Sequence, residues 1–230
     1  GTLIHLFGVE KSIPHLEIIL PIGLSFHTFQ SMAYVIEVYR KRQKAETHIG
    51  YFANYVLFFP QMVAGPIERY NRLGEQLQAN HSLKYKNFSD GFRLILIGFF
   101  AKMVIADNLA PYVNTVYDNP SQFSSSSIIT ALIFFSFQIY ADFSGYSLIA
   151  MGTAKWMGID LMENFKNPYW SSSIVEFWKR WHISLTSWFR DYVYFSLGGN
   201  RVNNFKWVIN ILFVFALSGL WHGASWTFII

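Results

Sequence analysis

Cysteine is absent from this 230-residue chain. Without a thiol, the chain forms no disulfide framework and no thiolate metal site, and it has no cysteine nucleophile. Charged residues are scarce as well, at 14% of the sequence, whereas soluble domains average about 25%. This shortage of charge argues against a soluble fold.

The chain is instead rich in apolar and aromatic residues. Hydrophobic residues make up 52% of it, with 23 Phe, 13 Tyr and 8 Trp, and aromatic side chains accumulate at membrane–water boundaries. The net charge of +4 is modest. Lys and Arg cluster in a few loops rather than along one stripe, so nucleic acid is not an expected partner. We expect an all-α, polytopic membrane protein surrounded by the lipid bilayer.

Four apolar segments have the length of a membrane span: residues 13–38, 94–113, 128–152 and 207–230. The first contains Pro14 and Pro21, which predict a kink or a short re-entrant start. The sequence begins at Gly1 without an initiator Met and ends inside the last apolar segment. We therefore interpret residues 1–230 as a single domain that is incomplete at both ends.

Residues 49–67 are apolar too, but Pro60 and a later Gly-Pro pair interrupt them, and basic loops flank both ends. Since basic loops stay in the cytoplasm, we predict a broken helix that enters the membrane and returns, which requires protein to cover its backbone. The same rule keeps the seven Lys and Arg residues between 155 and 206 in the cytoplasm. The loop at 114–127 contains neither Lys nor Arg and is predicted to lie outside.

Two Trp-His pairs stand 40 residues apart and end at His182 and His222. Residues 174–195 carry most of their aromatic side chains on one helical face and their charges opposite, which predicts a single helix lying in the membrane interface. His182 falls at the margin of the apolar face. It is therefore either an interfacial histidine that reaches the headgroups or part of a functional site.

His222 lies far along the last apolar segment, beside Ser218, Gly219 and Gly223, and such small residues admit another backbone or a substrate. A packing histidine bonded across helices is one interpretation. We favour a functional role, because ionisable groups at this depth line pathways or sites, and a buried, neutral imidazole can act as a general base. The sequence has no HxxxH motif and no carboxylates at ligand spacing, so no metal site is predicted.

A further polar residue within the predicted spans is Asp142, in the segment QIYADFSGYS. Its carboxylate could orient a histidine. It could equally form a structural ion pair with Lys102 of the preceding span. The sequence leaves both interpretations open.

Both histidines lie in motifs that resemble the bacterial branch of the membrane-bound O-acyltransferase family, the branch of the alginate O-acetylation proteins: FWKRWHISLTSWFRDYVYFSLGGNR and LSGLWHGASWTF. GLSFHTFQSMAYVIEVYR, FFPQMVAGPIERY and QIYADFSGYSLIAMGTAKWMGI resemble the same branch, so the resemblance covers nearly the whole chain. It implies two active-site histidines, which correspond to His182 and His222. It also implies a ring of membrane helices with re-entrant and interfacial helices and a thin centre. Ser196 departs from the family pattern, which has proline there.

The resemblance further implies a multi-pass O-acyltransferase of the bacterial inner membrane. Its donor would be cytoplasmic, by default acetyl-CoA, and it would hold no bound cofactor. Acetyl would move toward an exopolysaccharide such as alginate, or to a periplasmic acetyltransferase partner. His222 would take the proton of the acceptor hydroxyl or carry the acyl group, while His182 orients or polarises.

Three alternatives stand beside this interpretation. Transfer of D-alanyl to teichoic acid is the related one. A small-molecule membrane transporter is another, although such proteins contain internal repeats and we find none in the sequence. A non-catalytic membrane scaffold is the last, and it gives no reason for a histidine among small residues in an apolar segment.

Overall fold

The computed structural model describes residues 24–62, 65–223 and 226–228. Within these ranges the chain is helical and has no β-strand, as the sequence predicts. Its α-helices are, in chain order, α1 (Leu24–Tyr39), α2 (Ile49–Val56), α3 (Tyr70–Gln78), α4 (Tyr85–Phe99), α5 (Asp107–Asp118), α6 (Ser125–Trp156), α7 (Ile174–Arg180), α8 (Ile183–Phe189) and α9 (Asn204–His222).

Three helical stretches of the described chain are long and apolar enough to cross a membrane: Tyr85–Asp118, Ser125–Trp156 and Asn204–His222. The first joins α4 to α5 through a π-helical turn at Phe100–Ala106. Its 34 residues extend over about 51 Å, against about 30 Å for a hydrocarbon core. The predicted spans at 94–113 and 128–152 lie inside the first two stretches, and both helices continue beyond them.

Helices α4 and α6 pack against each other in antiparallel directions through two pairs of facing glycines. Gly91 faces Gly152, and Gly98 faces Gly145; a Cβ atom on any of the four would lie 2.5–2.8 Å from the carbonyl oxygen of its partner. Only glycine permits two backbones to approach this closely. The α4–α5 stretch thus covers one side of α6, and another side of α6 contacts the candidate site through Phe143.

The apolar segment at 49–67 is broken, as predicted. Helix α2 ends at Val56, a 3-10 turn follows at Phe59–Gln61, and residues 65–69 have no regular secondary structure. Buried side chains of this region pack with α3 and with the last turns of α6: Tyr55, Phe58, Tyr70, Leu73, Ala150 and Ala154. This packing covers the interrupted backbone, and the entry into the membrane and return stays a prediction.

The predicted span at 13–38 is described only in part. The described part of helix α1 covers Leu24–Tyr39, 16 residues, and within the described residues it is not among the candidate membrane-spanning helices. Pro14 and Pro21 lie outside the described residues. The kink predicted from them is therefore untested.

The prediction of one interfacial helix at 174–195 is wrong. The helix breaks at Trp181 and His182, because the N–H of Ile183 bonds to the carbonyl of Asn164, 2.9 Å away, instead of continuing the helical ladder. After Phe189 the chain winds into a π-helical turn at Arg190–Tyr194 and a 3-10 turn at Phe195–Leu197. Helical periodicity cannot reveal this break, since the competing acceptor lies in a distant loop.

The last apolar segment also differs from the expectation of a helix running to residue 230. Helix α9 ends at His222, and a 3-10 turn occupies Trp226–Phe228. Gly223 follows the helix and packs against the Phe228 ring, so that a Cβ there would lie 2.5 Å from Phe228 Cε2. His222 is therefore at a helix terminus rather than within a continuous helix.

The topology predicted from charge can be tested with single cysteines at Lys44, Lys84 and Ser125, which are all exposed. In intact cells, an impermeant thiol reagent is expected to label Ser125→Cys and to spare Lys44→Cys and Lys84→Cys. Permeabilised cells should show labelling at all three positions, which controls for reactivity. Labelling of Lys84→Cys from outside would contradict the re-entrant interpretation of residues 49–67.

Candidate active site

The backbone at His182 shapes the candidate site. Between α7 and α8, this residue has φ 42° and ψ 54°, in the left-handed region. The left-handed conformation costs a residue other than glycine about 1–2 kcal/mol. Contacts with the rest of the chain must therefore hold it.

Asn164 supplies most of these contacts. Its backbone carbonyl accepts the N–H of Ile183 at 2.9 Å, and its Oδ1 accepts the N–H and the hydroxyl of Ser184 at 3.3 and 2.6 Å. Its Nδ2 donates to Ser147 Oγ on α6 at 3.1 Å. Asn164 is 1% exposed and Ser184 is fully buried. Loss of the amide would leave buried polar groups unpaired, at a cost of about 1–3 kcal/mol each.

The His182 imidazole is buried among aromatic rings, with 6% of the residue exposed. The Phe143 ring meets it edge-on at 4.5 Å between centroids, and Phe165 lies nearly parallel to it at 6.5 Å. Burial, and to a smaller extent the nearby His222, lowers the pKa of His182 to about 3, so the imidazole is neutral at physiological pH. Its Nε2 is buried and has no hydrogen-bond partner among the described residues.

His182 is therefore not the interfacial side chain that one interpretation of the sequence predicted. A histidine reaching for headgroups would be exposed, whereas this ring is buried among aromatic side chains. A buried nitrogen without a partner is an exception in folded proteins and calls for a ligand or a catalytic role.

His222 is the last residue of α9. The indole ring of the preceding residue, Trp221, anchors this end of the helix. Trp221 packs edge-on against Phe26 and Phe29 of α1, with centroids 6.5 and 5.2 Å apart. Trp188 of α8 donates from its indole N–H to the carbonyl of Phe29 at 2.9 Å. Helix α1 is thus the common support of α8 and α9. The His222 side chain itself is exposed in the described chain.

The structure brings both predicted site residues into one region, since Trp221, the neighbour of His222, packs with Leu185 and Trp188 of α8, the helix that follows His182. Asp142 does not join them. Its Oδ1 lies 2.7 Å from Lys102 Nζ, which also contacts Asp107 Oδ1 at 2.5 Å. Of the two roles left open for Asp142, the structure therefore shows the ion pair. No cluster of three or more His, Asp or Glu residues within the described ranges could hold a metal ion.

Two supporting residues escaped the sequence analysis, Asn164 and Glu68. Glu68 is fully buried, and its Oε1 accepts the N–H of Met162 at 2.5 Å and pairs with Arg72 at 3.2 Å. Burial raises the pKa of this carboxyl. Glu68 thereby connects the irregular segment at 65–69 to the loop that contains Met162 and Asn164. In the sequence, the only indication that these two residues matter is that each is polar and stands next to an apolar or aromatic residue.

A cleft of about 750 Å³ reaches the residue after His182. Ile183, Met151 and Leu161 form part of its apolar lining, and charged side chains form the rest: Arg72, Asp90, Arg93, Lys155, Asp160, Glu163 and Lys166. Neither histidine lines it. The cleft therefore adjoins the turn at His182 without including its ring. Its basic lining lies on the face that the charge pattern assigns to the cytoplasm.

A family model settles the class of protein to which this arrangement belongs. The model of the membrane-bound O-acyltransferase family (MBOAT) matches residues 38–230. This chain belongs to that family. The match confirms the resemblance seen in the motifs around both histidines.

Several curated proteins are similar to this MBOAT chain. It is 44% identical to the probable alginate O-acetylase AlgI of Azotobacter vinelandii, over 100% of this chain and 46% of that protein. It is 36% identical to the peptidoglycan O-acetyltransferase of Helicobacter pylori, over 94% of this chain and 46% of that protein. It is 30% identical to the teichoic acid D-alanyltransferase of Streptococcus thermophilus, over 90% of this chain and 53% of that protein. The chain thus spans about half the length of these relatives.

The support that Asn164 gives to the His182 turn can be measured. Asn164→Ala should lower the thermal unfolding midpoint of the purified protein strongly, because it removes three side-chain hydrogen bonds inside a buried cluster. Ser184→Ala removes one of them and should destabilise by less, about 1 kcal/mol. Asn108→Ala is the matched control, because that amide is exposed and bonds only within its own helical stretch. Equal midpoints for Asn164→Ala and Asn108→Ala would contradict this role.

Proposed function

We propose that the protein containing this chain is a membrane-embedded O-acyltransferase that transfers acetyl from a cytoplasmic donor toward a hydroxyl outside the cytoplasm. The observation that carries this proposal is the packing of the two histidine segments, in which Trp221 contacts the cluster of Leu185 and Trp188, together with the buried Nε2 of His182, which is unpaired among the described residues. Membership in the MBOAT family supports it. The same membership favours an enzyme over the transporter and scaffold interpretations.

The proposed reaction moves an acyl group from a thioester to an alcohol. His222 takes the proton as the acceptor oxygen attacks the carbonyl carbon, the carbon–sulfur bond breaks, and the leaving thiolate recovers the proton from His222. The neutral His182 donates a hydrogen bond to the carbonyl oxygen as that oxygen gains negative charge. In the alternative route, a His222 nitrogen attacks the carbonyl carbon and the carbon–sulfur bond breaks, which leaves the acyl group on the imidazole. The acceptor oxygen then attacks that carbon, the carbon–nitrogen bond breaks, and the hydroxyl proton passes to the thiolate.

Acetyl-CoA is the proposed donor, and the cleft beside Ile183 is its proposed approach. The cleft combines apolar side chains with basic ones, and its volume of about 750 Å³ falls within the usual range for small-molecule sites. Its predicted position on the cytoplasmic face suits a soluble donor. The acetyl group of a donor in this cleft would then reach the two histidines by passing the turn at His182.

For the acceptor we propose an exopolysaccharide of the alginate type, reached directly or through a periplasmic acetyltransferase partner, with the enzyme in the bacterial inner membrane as a multi-pass protein. The relatives named as alginate O-acetylases support this choice, at 42–44% identity. D-alanyl transfer to teichoic acid is the second candidate, and relatives with that name are 30–32% identical.

The role of His222 is tested by replacing it in the complete protein and measuring incorporation of labelled acetyl into polymer. His222→Ala should abolish transfer with normal protein levels, because the side chain is exposed and ends a helix. His222→Gln should not restore it, since an amide does not accept a proton near pH 7. His48→Ala is the matched control, as His48 is an exposed histidine at the beginning of α2.

A His222→Gln variant with most of the original activity would overturn this mechanism. Hydrogen-bond orientation, not proton transfer, would then be the task of the residue.

His182 calls for a variant that keeps the turn and removes the imidazole. Asparagine tolerates the left-handed backbone better than other residues do, so His182→Asn should preserve the break between α7 and α8. Acyl transfer should nevertheless fall by about 10²- to 10³-fold, as expected when a donor to the developing oxyanion is lost. The thermal unfolding midpoint, measured in parallel, should stay near that of the unmodified protein. A fully active His182→Asn variant would limit this residue to packing.

A further inference from the structure

A second cavity, of about 530 Å³, lies between the end of α1, the beginning of α3 and the π-helical turn after α8. Its lining includes neither His182 nor His222. We call it the arginine pocket, since three guanidinium groups line it: Arg40, Arg42 and Arg69. Two carboxylates, Glu37 and Asp191, line it as well. Three positive and two negative groups leave the lining with one net positive charge.

Arg69 has hydrogen-bond donors that nothing in the described chain accepts. Its Nη1 and Nη2 are both buried and have no partner there. The nearest carboxylate oxygen, Asp191 Oδ2, lies 4.0 Å from Nη2, which is beyond hydrogen-bond distance. The guanidinium lies over the Tyr192 ring, 4.8 Å from its centre. The ring attracts the positive charge but leaves the in-plane N–H groups without an acceptor.

The two carboxylates of the pocket are already engaged by other donors. Asp191 Oδ1 accepts from Arg190 Nε at 2.8 Å. Glu37 Oε1 lies 3.6 Å from Arg42 Nη1. Neither carboxylate accepts a hydrogen bond from the Arg69 guanidinium in the described chain.

A second unmet donor lines the same pocket. Gln43 Nε2 is buried and has no hydrogen-bond partner among the described residues. Arg40, by contrast, is held in place, with Nη2 donating to Ser196 Oγ at 2.8 Å. The pocket thus presents fixed positive charge together with an excess of donors over acceptors.

The larger cleft beside Ile183 is different in this respect. Each basic side chain of that cleft lies near a carboxylate: Arg72 at 3.2 Å from Glu68, Arg93 at 3.7 Å from Asp90, Lys155 at 2.5 Å from Asp160, and Lys166 at 3.5 Å from Glu163. The unmet donors are therefore a property of the arginine pocket and not of every cavity in the described chain.

We propose that the arginine pocket binds a phosphate group. Phosphate oxygens accept several hydrogen bonds at once, and the planar fork of a guanidinium matches them with two parallel bonds. Arg69 and Gln43 would supply the donors, and Arg40 would add charge. The pocket adjoins the basic run RKRQK at 40–44, which is predicted to face the cytoplasm. The phosphate could therefore belong to an anionic phospholipid headgroup or to a soluble phosphorylated compound.

The test measures the thermal unfolding midpoint of the complete protein, purified in detergent, as each probe is titrated. A ligand that binds the folded state raises this midpoint as its concentration increases. The probes are inorganic phosphate, for a soluble source, and dioctanoyl phosphatidylglycerol, for a lipid source. Sodium chloride at equal ionic strength and dioctanoyl phosphatidylcholine are the matched controls.

We expect one of the two phosphate probes to raise the midpoint more than its control does. A response to inorganic phosphate identifies a soluble source, and a response to phosphatidylglycerol alone identifies a lipid source. Arg69→Gln should then raise the apparent Kd at least about tenfold, as expected when charge-assisted hydrogen bonds are lost. Gln43→Met should raise it by a smaller factor. Arg201→Gln, which removes an exposed arginine outside both cavities, should leave it unchanged.

Gln43→Met keeps the test decisive if Arg69→Gln does not fold. The Gln43 amide N–H has no partner among the described residues, so its removal breaks no hydrogen bond there. The proposal is overturned if neither probe exceeds its control, if the Arg69 and Gln43 variants bind like the unmodified protein, or if Arg201→Gln weakens binding as much. Because binding is the readout, these outcomes are independent of whether the protein transfers acetyl.

Discussion

The hydrogen bonds between Asn164 and the chain after His182 are the constraint on which the candidate site depends. They replace the helical ladder at Ile183 and hold His182 in a left-handed conformation that costs energy on its own. The same amide reaches Ser147 on a long helix of the membrane region. The histidine is consequently fixed relative to that helix rather than to its neighbours in sequence, and its ring is buried among the aromatic rings of Phe143 and Phe165.

That long helix is in turn positioned by glycine. The facing pairs of Gly91 with Gly152 and of Gly98 with Gly145 bring two backbones into direct contact, where the absence of side chains permits extensive van der Waals packing. A similar dependence holds on the other side of the site, where Phe29 of α1 contacts Trp188, Phe189 and Trp221. The two histidines are therefore positioned by separate supports, α6 for one and α1 for the other.

Some buried polar groups have partners within the described chain and others have none, and the two carboxylate oxygens of Glu68 are one of each kind. Lys102 and Asp142 neutralise each other within the membrane-spanning helices, and Glu68 is held by a backbone N–H and by Arg72. His182 Nε2 and the Arg69 guanidinium, by contrast, are buried donors or acceptors with no hydrogen-bond partner among the described residues. Because burial without a partner is costly, groups of this kind are the ones for which a substrate or ligand offers an explanation.

The sequence alone determined the helical class, the apolar segments at 94–113 and 128–152, the interruption of 49–67 and the two histidine motifs, since these depend on composition and on residues close together in the chain. Tertiary structure decided the break at His182, the burial of its ring, the end of α9 at His222 and the choice of Lys102 as the partner of Asp142. It also revealed Asn164 and Glu68. These features rest on contacts between distant residues, such as the hydrogen bond from Trp188 to Phe29, which are 159 positions apart. Helical periodicity carries no information about a distant hydrogen-bond acceptor such as the Asn164 carbonyl. The apolar face of residues 174–195 therefore predicts one interfacial helix, although the folded chain breaks that helix at His182.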